Sequence, residues 1–450
     1  MRYLYTLLLL VVGLGASAQQ TLTLSDCRKM SLDYNKQNKI SSLQIDKASQ
    51  DIITYRAKFF PHLSARGNYL FSSGTFDQTL PKMSIPVLSQ APPHLPTGGV
   101  LMTPAIPLVF DLNNSWFAGV TLKQPLYTGG KIRSAFKMSK LGKEMSVLNK
   151  RMTNAEVIYE TDKAYWSVVK VQELVIVALK YQEVVELLYK DIQNAFDEGM
   201  VSRNEILKVQ VKLNEAKLQK KRAENAVVLA KMNLAHYVGL PLTADIQIDS
   251  KDIETAEHVN VVTDIALRPE YQMLNKGLDL KYQEIKLARA DYLPQVGVAA
   301  GWTYSDMLKF NENKMLKGSA FSALFSVNIP LFQWGEGISK VRSKKLEHQM
   351  AMLQRDDDSE KMVLEMTMAL NEVEEAKLEV EMTRDAQIQA TENLKVSREQ
   401  FDVGLETLTN HLEAQTLWQK SLAELIEAKA NLRLSEVHYL KSSGQLTINE

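Results

Sequence analysis

Residues Pro125 to Gly239 and Pro330 to Gly444 are two copies of one unit, in register at a constant offset of 205 without a gap. Pro125-Leu126-Tyr127 answers Pro330-Leu331-Phe332, and Gly130 answers Gly335. Phe196-Asp197-Glu198-Gly199 answers Phe401-Asp402-Val403-Gly404, and Gly239 closes the first copy as Gly444 closes the second. The apolar stripe agrees as well, with Leu141, Met145 and Leu148 falling on Leu346, Met350 and Leu353. A repeat held in register this long means one structural unit used twice.

Each copy is preceded by a helix, a proline and two strands. In the first, Ser25 or Asp26 is a plausible N-cap for a helix running to about Lys58, stopped by Phe60-Pro61. Leu63, Ala65, Gly67, Tyr69 and Phe71 then alternate with more polar neighbours, and alternation resumes at Trp116, Ala118, Val120 and Leu122. A loop over 74–106, rich in proline, separates the two runs. In the second copy a helix from about Pro269 to Asp291 ends at Leu293-Pro294, and the strand faces are Val296 to Tyr304 and Phe321 to Ile329. Between prolines the first copy spans 64 positions and the second 36, so the first hairpin carries 28 extra residues, all in its loop. Insertions of that kind belong in solvent.

Each Pro-Leu-aromatic opens a helical pattern almost free of glycine and proline. A helix of roughly 65 residues would be about 95 Å long, far beyond ordinary globular helices. Heptad positions persist in both copies: Val157, Thr161, Ala164, Val168, Val171 and Val175 correspond to Met362, Met366, Ala369, Val373, Ala376 and Val380. Gly199 and Gly404 supply a turn, and a second helix returns. The expected organisation is a leader at 1–18, a first repeat over 19–240, a linker over 241–267 and a second repeat over 268–450. Expected strands are 62–71, 115–124, 295–305 and 319–329, with long helices at 131–196 and 336–401. The return helices are expected at 202–238 and 405–441.

Composition narrows the class. Arg2, the apolar run Leu4 to Leu14 and Ala16-Ser17-Ala18 read as a bacterial secretory signal. Lysine plus arginine (53) balances aspartate plus glutamate (53), which gives no nucleic-acid footprint. No internal run reaches the roughly 18 apolar residues of a transmembrane helix, a test to which β-barrels are blind. The single cysteine, Cys27, cannot form an internal disulfide and reads as an inert helix residue. Seven scattered histidines lack metal-ligand spacing, and Gly129-Gly130-Lys131 is followed by Ile132 where a phosphate loop needs Ser or Thr. No enzyme, cofactor or metal chemistry is expected.

The strands carry Tyr69, Trp116, Trp302 and Tyr304 where membrane barrels carry aromatic girdles. In lipid every backbone donor and acceptor must be paired, so an open four-stranded sheet is forbidden. Closure must come from other copies: eight strands from a dimer, twelve from a trimer.

The chain resembles the TolC-like outer-membrane efflux factors over essentially its whole mature length. The resemblance rests on Leu22-Thr23-Leu24-Ser25-Asp26, the junctions at Phe60-Pro61 and Leu293-Pro294, and those at Pro125-Leu126-Tyr127 and Pro330-Leu331-Phe332. The paired turns at Phe196 to Leu207 and Phe401 to Ala414 complete it. It implies a mainly α fold with transmembrane β, in which a homotrimer forms a 12-stranded outer-membrane barrel continued by a long periplasmic α-helical barrel. It also implies a passive export duct of a tripartite efflux or type I secretion system, set in outer-membrane lipid. The implied partners are a periplasmic adaptor and an inner-membrane transporter of RND, ABC or MFS type.

By the same resemblance, acidic residues past the second tip glycine ring a closed entrance. The aligned positions are Asn410, which departs from the usual acid, and Glu413; Glu205 is the first-repeat equivalent, and Arg203 is a possible latch. Gly199, Met200 and Val201 with Gly404, Leu405 and Glu406 form the tips expected to meet the adaptor. The alternatives are a solvated role for Glu413, a surface role for Asp356-Asp357-Asp358, and packing for the methionine stripes. The rival reading of the whole chain is a periplasmic coiled-coil adaptor or scaffold. A surface-receptor role for the 74–106 loop could coexist with either.

Overall fold

The structure, a computed structural model, describes residues 21–88, 96–111, 113–248, 260–262, 264–306, 309–310, 313–314 and 317–446. The leader expected at 1–18 lies outside the described residues, as do 249–259 of the linker and 89–95 of the Pro-rich loop. The first half runs β1 (Thr21–Leu22), α1 (Leu24–Tyr34), α2 (Lys36–Ala57), β2 (His62–Leu70), β3 (Thr75–Leu80), β4 (Ser84–Leu88) and β5 (Pro96–Met102). It continues through β6 (Ile106–Asp111), β7 (Ser115–Thr128), α3 (Lys131–Asp197) and α4 (Arg203–Val238). After β8 (Gln247–Ile248) come α5 (Pro269–Ala290), β9 (Gln295–Asp306), β10 (Lys309–Phe310), β11 (Asn313–Lys314) and β12 (Lys317–Asn328). The chain ends with α6 (Glu336–Asp402) and α7 (Leu408–Ser442).

The offset of 205 is visible in the backbone. Gly130 and Gly335 have φ of 90° and 82°, Gly199 and Gly404 78° and 77°, and Gly239 and Gly444 79° and 74°. Gly129, at φ 64°, has Trp334 as its counterpart, one of two described non-glycine residues with positive φ. Contacts nevertheless gather the chain into two compact units, each drawing on both copies: 49–141 with 279–349, and 1–48 with 142–278 and 350–450. The repeats are therefore units of topology rather than separate globules.

The strand-bearing unit holds an open antiparallel sheet of order β12-β9-β7-β2. Its register places Ala65, Val120, Trp302 and Phe321 in one row, and Leu63, Leu122, Ala300 and Ala323 in the next. These rows share one face, since side chains alternate along a strand, and their large members are exposed: Leu63 66%, Trp302 49%, Phe321 74%. The other face carries Ser64, Thr121, Gly301 and Ser322 in one row. Trp116 stacks on Tyr304 with centroids 5.2 Å apart. β7 runs past Pro125, where the expectation ended it. A bulge between Pro125 and Tyr127 absorbs the missing donor, and pairing to β9 resumes at Tyr127 and Thr128.

The loop expected over 74–106 is largely strand. A second sheet of order β11-β10-β6-β3 repeats the order β12-β9-β7-β2, each strand extending its predecessor or successor in the chain after a short break. Beyond it, β4 and β5 pair only with each other among the described residues. Among the described residues Pro81 and Pro104 lie in breaks and Pro96 opens β5, whereas Pro86 sits inside β4 beside a register shift.

In the helical unit the N-cap is Thr23 rather than Ser25 or Asp26. Thr23 Oγ1 accepts from Asp26 N at 3.2 Å while the Asp26 carboxylate accepts from Thr23 N at 3.2 Å, a reciprocal capping box. The expected continuous helix to Lys58 breaks at Asn35, whose Oδ1 accepts from the amides of Gln37 and Asn38 at 2.8 and 3.1 Å and so starts α2 afresh. Cys27 is fully buried beside Ala164, Val168 and Leu234, and burial pushes its thiol up to about 12. Arg28 grips the buried Asp162 of α3 through two bonds of 2.8 and 2.6 Å. β1 lies parallel to β8, and Tyr439 Oη accepts from Val262 N at 2.9 Å, pinning the linker to α7.

The two long helices bury different amounts. α6 buries or half-buries one strict seam, Met366, Ala369, Val373 and Ala376 continuing through Ala390 and Ser397 to Phe401. α3 follows its expected seam through Val157, Thr161, Ala164 and Val168. Val171 and Val175 are then only half-buried, and a three-residue step from Ala178 to Tyr181 resets the row to Val185, Leu188 and Ile192. Such a step overwinds the seam locally.

Candidate gate at the helix tips

Each long helix ends in the same hydrogen-bonded turn. The amides of Met200 and Gly199 donate to the carbonyls of Ala195 and Phe196, both at 2.8 Å. Those of Leu405 and Gly404 donate to Gln400 and Phe401 at 2.8 and 3.0 Å. This is the Schellman arrangement, which requires the left-handed glycine. It projects Met200 and Leu405 into solvent at 74% and 81% exposure, with Val201 half-buried behind the first turn. α7 starts at Leu408 rather than about 405 because Thr407 caps it, its hydroxyl accepting from Asn410 N at 3.2 Å.

Glu205 and Asn410 occupy the same third position of their helices, 205 apart. Glu205 is half-buried in the first turn of α4, where a carboxylate also favours the helix N-terminus by about 0.3–1 kcal/mol. Asn410 is exposed. Arg203 is exposed too, and among the described residues no ion pair joins it to Glu205. Glu413 lies further along α7 on a groove of about 780 Å³ between α4 and α7. Val211, Leu412 and Leu417 give this groove its apolar surface, and Lys208, Lys212 and Lys420 surround it. Lys208 Nζ reaches Thr409 Oγ1 at 3.4 Å, Lys212 pairs with Glu215 at 2.9 Å and Lys420 with Glu424 at 3.5 Å. Hydrogen bonding to Glu215 raises the Lys212 ammonium above its ordinary value. Glu413 has no ion-pair partner within the described chain and is open to solvent.

A buried cluster behind the tip escaped the sequence reading. His411 stacks on Phe401, centroids 5.1 Å apart and planes 9° from parallel. Its Nδ1 lies 3.0 Å from Ser397 Oγ and its Nε2 2.9 Å from Gln415 Nε2. The imidazole is thus held by a polar side chain at each ring nitrogen, from α6 on one side and α7 on the other. Burial lowers the His411 pKa, against the fields of Glu406 and Asp402 and with that of Arg398. Glu406 itself is half-buried, and its Oε2 has no hydrogen-bond partner among the described residues. The i, i+4 spacing of His411 and Gln415 was the only available signal, too common to single out.

Asp356-Asp357-Asp358 reads as a solvent-facing run. Arg355 and Lys361 both pair with it at 2.6 Å, to Asp356 and Asp357 respectively. Among the described residues no group of three His, Cys, Asp or Glu side chains could hold a metal, and no helix is long and apolar enough to cross a membrane.

The architecture matches known proteins throughout. The chain is 22% identical over 330 residues to the alkaline protease secretion protein AprF of Pseudomonas aeruginosa, covering 70% of this chain and 67% of that one. It is 20% identical over 342 residues to the outer membrane protein TolC of Escherichia coli, covering 71% and 68%. The crystal structure of the Campylobacter jejuni CmeC outer membrane channel superimposes with a TM-score of 0.73 at 17% identity, covering 95% of this chain and 87% of that one. The family model for outer membrane efflux proteins matches residues 30–240 and 265–445, both copies of the repeat. The chain thus belongs to the outer membrane efflux protein family, whose members are passive channels rather than enzymes.

Proposed function

We propose that three copies of this chain close a twelve-stranded barrel in the outer membrane, continued by a periplasmic helical tunnel whose entrance is set by the tip turns. The chain is an outer-membrane channel for efflux or secretion; trimer, gate and docking surface are the finer reading. The open β12-β9-β7-β2 sheet carries it. Among the described residues β2 and β12 leave two unpaired edges beside an exposed apolar face. In hydrocarbon those edges cost several kcal/mol per unpaired group, so sister copies must supply the missing strands. The flank of α6 supports the same reading, because Leu364, Met368, Leu378 and Met382 stay more than half exposed on the isolated chain. The 90% exposure of Leu331 and Trp334, between β12 and α6, adds to it.

Around a threefold axis, Glu413 from each copy, with Glu205 near the tip, would form an acidic ring that draws cations and resists full closure, with the neutral Asn410 as its polar neighbour. Arg203 would face that ring from the first-repeat turn. The apolar groove that holds Glu413 would face the tunnel axis in that arrangement, which leaves docking of a partner protein to the tips. The exposed turns Gly199-Met200-Val201 and Gly404-Leu405-Glu406 would meet the same partner, a periplasmic adaptor that couples the duct to an inner-membrane transporter. A free-standing coiled-coil adaptor is disfavoured, because both strand pairs join one sheet with a continuous apolar face. In planar bilayers, Glu413→Ala is expected to raise single-channel conductance and reduce cation preference. Unchanged conductance and selectivity would remove Glu413 from the gate.

A further inference from the structure

From Met83 to Phe110 the chain has no Asp, Glu, Lys or Arg, its longest such run. β4 and β5 lie inside it and pair only with each other among the described residues. Ile85 faces Leu101 across the pair, while Val100 and Met102 point to the opposite side. Ile85, Val100, Leu101 and Met102 are 45–65% exposed, so both faces of the ribbon offer apolar surface. A two-stranded ribbon is marginal in water on its own, and edge strands left in solvent usually carry guarding charges. This one carries none.

The flanking chemistry limits what can cover it. Asp77, Lys82 and the Lys309–Asp111 ion pair at 3.8 Å stand between the ribbon and the apolar face of the β12-β9-β7-β2 sheet. That charged belt puts the ribbon outside the lipid layer. A charged partner would find nothing to pair with. Pro86 and Pro96, within the strands, remove ladder donors and disfavour addition of a further strand. What remains is apolar face-to-face packing, and sister copies carry the same ribbon at high effective concentration.

We propose that the β4–β5 ribbons of sister copies pack face to face and form an uncharged lid over the strand end of the channel. The proposal rests on the trimer reading. The test uses the full-length protein with Leu101→Cys, because the only native thiol, Cys27, is fully buried. The expected result of mild oxidation is a shift of most of the protein from the monomer to a covalent dimer band on denaturing gels. A second variant, Ile85→Asp with Leu101→Asp, is expected to stay trimeric and to show higher single-channel conductance than wild type. Intact trimers without cross-linking, and with unchanged conductance in the double variant, would overturn the lid alone. Wild-type protein that is not trimeric in detergent would overturn both the lid and the trimer reading beneath it.

Discussion

Single side chains fix the helical unit at a few buried polar points. Asp162 is fully buried and held by Nε and Nη2 of Arg28, which ties α1 to α3. Removing one member of such a pair strands the other charge, so Asp162→Ala is expected to cost about 3–5 kcal/mol in chemical denaturation. His411 gives a pH response of defined sign. Its folded-state pKa lies below the ordinary 6.5, so the unfolded chain takes up the proton first. Tip stability is then fully present above about pH 6.5 and falls as pH drops through the depressed value. Hydrogen exchange around residues 397–415 should accelerate below pH 6 in wild type and become pH-independent, after correction for intrinsic rates, in His411→Gln. Parallel behaviour of the two would show that His411 is not the titrating group.

At the scale of elements, the turn glycines carry the repeat. A Cβ at Gly239 would stand 2.1 Å from the Tyr34 ring, and φ is 79°. Left-handed strain and overpacking together predict a loss of about 2–4 kcal/mol for Gly239→Ala, read as a lower melting temperature. The long helices, the four barrel strands and the tips were legible from period, proline and glycine alone, because each signal is local. The break at Asn35 was not legible, since a side-chain amide caps a new helix only when its Oδ1 finds those amides in space. Nor was the second sheet, in which β3 of the 74–106 loop pairs with β6 and β6 with β10 of the other copy, because those pairings are tertiary. At the candidate site the turns, and the pair Glu205 and Asn410, could be found by counting 205 residues between copies, whereas Glu413, whose counterpart is Lys208, came only from the family resemblance. His411, Ser397 and Gln415 could not, because their significance lies in burial between α6 and α7. Val298 lies in the exposed apolar row with Phe325, the face proposed to meet lipid. Val298→Asp is expected to block membrane assembly while circular dichroism keeps its helical signal, and normal barrel assembly would mean the facing register is inverted.

For the whole molecule, one chain supplies only part of a wall. Among the described residues β2 and β12 are unpaired edges, the exposed row is apolar, and α6 spends one seam on its own chain while leaving a second flank open. These features share one physical remedy, which is burial against copies of the same surface. The most direct test is the mass of the detergent-extracted protein, measured with the detergent contribution subtracted and repeated after heating. The account predicts three chains per particle that separate into monomers only on boiling. A stable monomer in water without detergent would contradict it.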